Sequence, residues 1–144
     1  MPRIRARLTQ KMGFNLLHKE KWVGDHRFLH GRIGEKDVLM EASFQNNFFR
    51  IDLTNKTIPH GVPTADNGDP RLYLYMSFFN SEGEQVDQAK EILAPQQETA
   101  LTFNKKVNFS YRLFDPVASV HIVLKYQPAW SKDKKVILEK TFQK

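Results

Sequence analysis

The chain has 144 residues, 40% apolar, 12% aromatic and 26% charged, a composition that fits one folded domain and excludes a wholly disordered chain. It contains no cysteine, which excludes disulfides, thiolate metal sites and a cysteine nucleophile, and fits a reducing, cytoplasmic setting. The net charge of +6 comes entirely from residues 1–32, which carry eight basic and two acidic side chains, whereas residues 33–144 carry fourteen of each.

The first predicted element is therefore the basic one. Arg3-Ile4-Arg5-Ala6-Arg7-Leu8 alternates as a strand, yet Ile4, Leu8, Met12 and Leu16 also recur at helical spacing, with Gly13 weakening that helix. As a strand it sets Arg3, Arg5 and Arg7 at intervals of about 7 Å, near the spacing of phosphates along a nucleic-acid backbone. Lys11, Lys19, Lys21, Arg27 and Arg32 extend the same positive field. These eight residues are the candidate anion-binding set; the alternative is an edge strand guarded by its charges against pairing with other chains. Polar residues interrupt the stretch after the arginines, so no leader-peptide apolar region is expected there. His26 and His30 lie four apart beside Asp25, with His18 the nearest third histidine; a metal centre wants more ligands than this, and none is expected. Segment 27–33 is a weak strand candidate.

From residue 37 onward period-two alternation dominates. Val38, Met40, Ala42 and Phe44 share one face of a predicted strand 38–44, and Phe49, Ile51 and Leu53 share one face of a second, 48–53. Residues 58–70 hold three prolines, two glycines and three Asp or Asn residues, which reads as a long loop. Strand 71–79 is apolar on both faces, with Leu72, Leu74, Met76 and Phe78 on one and Tyr73, Tyr75 and Phe79 on the other. An open second face would make Tyr73 and Tyr75 an aromatic platform for unpaired bases; the alternative, and the preferred reading, is a central strand whose second face is packed under the N-terminal segment. No apolar run exceeds Leu72–Met76, far below the roughly 20 residues of a membrane-spanning helix.

Residues 81–95 are ambiguous. Ser81-Glu82-Gly83-Glu84 has the spacing of a capping box and Val86, Ala89, Ile92 and Leu93 follow at helical intervals, but a hairpin arm fits equally. Further strands are predicted at 100–103, at 107–114 (Val107, Phe109, Tyr111 and Leu113 inward), at 119–126 (Val120, Ile122, Leu124 and Tyr126 inward) and at 135–142. Lys132, Lys134 and Lys135 follow Trp130 in a turn that either adds to the basic surface or is an ordinary solvated one. The expected fold is all-β, a two-layer antiparallel sandwich of about 7–8 strands with at most one or two short helices, forming a single domain over 1–144.

Phe49-Arg50-Ile51-Asp52-Leu53-Thr54-Asn55-Lys56-Thr57-Ile58-Pro59, then Asp66-Asn67-Gly68-Asp69-Pro70, then Leu72-Tyr73-Leu74, resembles the opening of a C2 domain. That resemblance implies an eight-stranded sandwich whose loops meet membranes or protein partners. It offers Asp66 and Asp69 as first-loop carboxylates but only Asp115 in the third, too few for the six to eight oxygens that calcium takes.

No nucleophile elbow, glycine-rich phosphate loop or zinc-binding helix motif is present, and the carboxylate pairs Asp66/Asp69 and Glu82/Glu84 sit in turn-like stretches, so no catalytic residue is assigned. The expected function is a non-enzymatic interaction module without a cofactor or small-molecule substrate. Its basic segment 1–32 is expected to dock an anionic surface, membrane headgroups before nucleic acid, at the periphery of a membrane. The body is expected to contact a protein partner or a second copy. The alternatives are a single-stranded RNA- or DNA-binding protein, including a viral matrix type, and a purely structural scaffold.

Overall fold

A computed structural model describes residues 3–6, 21–24, 33–64, 68–114 and 116–144. Two compact units emerge, residues 1–30 and residues 31–144. In the first, β1 (Arg3–Ala6) and β2 (Lys21–Gly24) pair antiparallel, Arg3 opposite Gly24 and Arg5 opposite Trp22, so the strand alternative holds for residues 3–6.

The second unit is the predicted two-layer antiparallel sandwich. Its strands are β3 (Val38–Gln45), β4 (Phe48–Asn55), β5 (Arg71–Phe79), β6 (Gln85–Leu93), β7 (Lys106–Arg112), β8 (Ser119–Gln127) and β9 (Lys135–Gln143). One sheet runs β3-β4-β7 and the other β6-β5-β8-β9, every pairing antiparallel. Two 3-10 turns, Glu35–Asp37 and Pro95–Gln97, are the described helical elements.

The alternating residues of both sheets meet in one core. Val38, Met40, Phe49, Ile51 and Leu53 from the smaller sheet face Leu72, Leu74, Met76, Phe78, Val120, Ile122, Leu124 and Tyr126 from the larger, all buried. Their burial is the main driving force for the sandwich, at roughly 1.5–3 kcal/mol per large apolar side chain. At one side of the layers β3 meets β9. At the other, the Tyr111 hydroxyl of β7 donates to Glu91 of β6 at 2.8 Å, a cross-sheet bond between edge strands. Burial and that carboxylate push the Tyr111 hydroxyl far above its ordinary titration range, so it remains a donor.

One open reading is decided, for the hairpin arm, and one expectation is corrected. Residues 85–93 form a strand, because Asn80 and Gly83 build a hairpin turn first. The Asn80 side-chain oxygen accepts from the amides of Glu82 and Glu84 at 3.0 and 2.9 Å, and Gly83 takes φ +83°, which glycine adopts without a Cβ clash. A register shift opposite Phe78/Phe79 then inserts Val86 into β6, so Val86 and Ala89, three apart, both pack on the core; helical spacing here was the trace of a bulge. Segment 100–103 forms only isolated bridges, Val62 with Leu101 and Asn55 with Phe103, rather than a strand. The weak strand candidate at 27–33 falls almost wholly on residues outside those described.

Candidate anion-binding face

β5 is an inner strand of the larger sheet, flanked by β6 and β8. Even-numbered residues enter the core, so odd-numbered Tyr73 and Tyr75 stand on the outer face two residues apart. Their rings stack with centroids 6.1 Å apart and planes 17° from parallel. Register decides what surrounds them: Tyr73 lies between Ile92 and Lys125, and Tyr75 between Lys90 and Val123.

Three ammonium groups gather on this pair. Lys90 Nζ lies 5.2 Å from the Tyr73 ring centre and 5.6 Å from that of Tyr75, Lys125 Nζ lies 5.4 Å from Tyr75, and Lys134 Nζ lies 4.0 Å from Tyr73. These are cation–π distances, within which the negative ring face attracts the cation. The Tyr73 hydroxyl donates to Gln127 at 3.0 Å, and the Gln127 amide donates to the Ser131 carbonyl at 2.9 Å, which ties the tyrosine to the β8–β9 loop that carries Lys134. Tyr73 is only 6% exposed. Tyr73 is therefore nearly covered, whereas Tyr75 is half-buried.

The outer face of the smaller sheet makes the contrast. There Lys106 bridges Glu41 at 3.2 Å and Asp52 at 3.0 Å, and Asn108 donates to Asp52 at 2.7 Å. The Asn108 bond leads the influences that hold the Asp52 carboxyl below its ordinary value, and its bond to Asp52 raises the Lys106 ammonium above its own. Among the described residues, Lys90, Lys125 and Lys134 have no such carboxylate within ion-pair distance. Lys106 is thus met by carboxylates on its own face, whereas among the described residues Lys90, Lys125 and Lys134 are not.

Of the residues singled out in the sequence, Tyr73 and Tyr75 are brought together and Lys134 joins them. Arg3 and Arg5 fall on β1 and Lys21 on β2, while Arg7, Lys11, Lys19, Arg27, Arg32 and the histidines at 18, 26 and 30 lie outside the described residues. Lys132 and Lys135 are exposed beside Lys134. Asp69 forms an ion pair with Arg71 at 2.6 Å, and Asp66 and Asp115 lie outside the described residues. Among the described residues no group of three or more side chains is placed to hold a metal ion, and no helix is long and apolar enough to cross a membrane. Lys90 and Lys125 were missed in the sequence: each is an unremarkable polar position of its own strand, and only cross-strand register places it beside a tyrosine.

No family model matches the chain, and no curated protein does. Among solved structures, a penta-heme cytochrome c552 from Thermochromatium tepidum is similar, with a TM-score of 0.57 at 17% identity over 76% of this chain. The chain spans 40% of that cytochrome, and at this identity the likeness is one of fold.

Proposed function

We propose that this chain is a non-enzymatic β-sandwich interaction module that docks an anionic surface, membrane headgroups before nucleic acid. The observation that carries this reading is the gathering of Lys90, Lys125 and Lys134 over Tyr73 and Tyr75 without a carboxylate partner among the described residues. An ammonium held on a ring face keeps hydrogen-bond donors free for an incoming phosphate or carboxylate. The eight basic residues of segment 1–32 add to the attraction at longer range. Headgroups are favoured over bases because a base must reach an open ring, and Tyr73 is nearly covered, whereas a phosphate needs only the ammoniums.

Vesicles containing about one-third phosphatidylserine, compared with neutral vesicles and a single-stranded oligonucleotide, test the reading. The variant Lys90→Gln/Lys125→Gln/Lys134→Gln removes charge from this face. Lys36→Gln/Lys56→Gln/Lys140→Gln removes as much from a depression of about 270 Å³ lined in part by β3 residues and Leu138. At about 1 kcal/mol per lysine near an anionic surface, the first variant is expected to bind about 100-fold more weakly, and the second far less so. Wild-type binding is expected to fall as salt rises. Equal losses in the two variants, or no binding to anionic vesicles, would sink the proposal; preferential oligonucleotide binding would move it to nucleic acid.

A second reading draws on the likeness to part of a haem protein: the sandwich as the haem-free domain of an electron-transfer protein. The chain has no cysteine, so it offers no thioether attachment point for a c-type haem. If this reading holds, free haem titrated into the chain keeps its unligated absorption spectrum; a ligated spectrum overturns it.

A further inference from the structure

The β8–β9 loop presents an aromatic side chain that the core does not use. Trp130 is 82% exposed, yet its backbone is firmly held. Its amide donates to the Gly68 carbonyl at 2.8 Å, the Ser131 amide to the Pro128 carbonyl at 3.2 Å, and the Asp133 amide to the Ser131 hydroxyl at 3.0 Å. Trp130 itself sits at φ +64°, in the left-handed region that bulky residues avoid. Gly68 is fitted to it: a Cβ there would come within 2.8 Å of the indole, so a glycine is what lets the two segments meet. A strained, tethered loop that holds a large apolar ring in water is not explained by the stability of the sandwich.

Its surroundings indicate the occupant. Lys132, Lys134 and Lys135 follow within five residues, with Asp133 the sole acid among them, so the ring is set in positive charge and the complement is anionic. The indole protrudes from a loop rather than lining a groove. A protruding ring suits a fluid interface, which closes around it without a matching pocket, and indole prefers the headgroup level, where its ring is apolar and its N–H wet. We propose that Trp130 is an interfacial anchor, inserted among the headgroups of an anionic bilayer while Lys132, Lys134 and Lys135 meet the phosphates. This rests on the docking function proposed above and names the residue that enters the lipid.

Trp22 and Trp130 are the chain's two tryptophans, so Trp22→Phe leaves Trp130 the only indole emitter. With phosphatidylserine-containing vesicles its emission is expected to move to shorter wavelength and to lose quenching by aqueous iodide. Trp130→Ala is expected to bind those vesicles roughly tenfold more weakly at an unchanged denaturation midpoint. Co-sedimentation with vesicles while the emission stays unmoved overturns the anchor and leaves the docking function standing. Absence of co-sedimentation overturns both. A shift with a single-stranded oligonucleotide and none with vesicles also overturns the anchor.

Discussion

Asn55→Asp, a change of one side-chain group with almost no change in volume, is expected to destabilise the sandwich by about 4 kcal/mol or more at neutral pH and by less at about pH 4. Asn55 ends β4 with its side chain fully buried. Its amide nitrogen donates to the carbonyls of His60 at 2.7 Å, Ile58 at 2.8 Å and Leu101 at 3.3 Å, and its oxygen accepts from the Ile58 amide at 3.1 Å. One side chain thus pins the loop after β4 to the segment before β7. A carboxylate there would face three carbonyl oxygens with no donor to offer, so burial and repulsion would raise its pKa in the folded state above the ordinary aspartate value. The folded state then holds its proton more tightly than the unfolded one, and stability is lost as pH rises from the unfolded value through the raised folded value. Asn55→Leu removes the charge problem but strands the same carbonyls, at about 3 kcal/mol, independent of pH. Urea denaturation of both variants at the two pH values checks this: a parallel loss for Asn55→Asp at both would mean that the site admits water.

The same residue shows where sequence reading stops. Alternation revealed the strands because each packs one face, and Val38 to Phe44, Phe49 to Leu53 and Val120 to Tyr126 all enter the core as their spacing requires. Nothing in the polar run Thr54-Asn55-Lys56-Thr57 marks Asn55 as buried, and one of the carbonyls it binds belongs to Leu101, forty-six positions away. The tyrosine pair was legible as a period-two aromatic repeat on a strand with two apolar faces. Its lysines were not, since the convergence of Lys90, Lys125 and Lys134 requires sheet order and register, which are long-range properties. The charge of segment 1–32 was plain from the sequence, whereas the body's balanced total concealed an internal division: Lys106 spends its charge on Asp52 and Glu41, and the lysines of the β5 face do not.

Phe49→Ala is expected to cost about 3–5 kcal/mol, while Phe48→Ala, one residue earlier, stays within about 0.5 kcal/mol of the parent. Phe49 is wholly buried and Phe48 is 45% exposed. The Phe49 ring meets Phe44 at 5.0 Å on its own sheet and, across the layers, Phe78 at 5.9 Å edge-on and Phe142 at 6.3 Å. It therefore joins both sheets through ring contacts as well as buried area, and truncation leaves a cavity the backbone cannot close. Phe49→Leu keeps most of the volume and is expected to lose less. Combined with Phe78→Leu it is expected to show a coupling of about 0.5–1.5 kcal/mol in a double-mutant cycle. Denaturation midpoints decide the matter, and comparable losses at Phe48 and Phe49 would contradict the assignment of faces. Phe78 lies on β5, whose opposite face carries Tyr73 and Tyr75, so the core contact and the lysine face share one strand. As long as Phe49→Leu remains folded, that strand keeps its register with β6 and β8, and binding to anionic vesicles is expected to be unchanged while stability falls. Stability and docking would then be separable in this molecule by whether a side chain enters the core or stands on the outer face of the larger sheet.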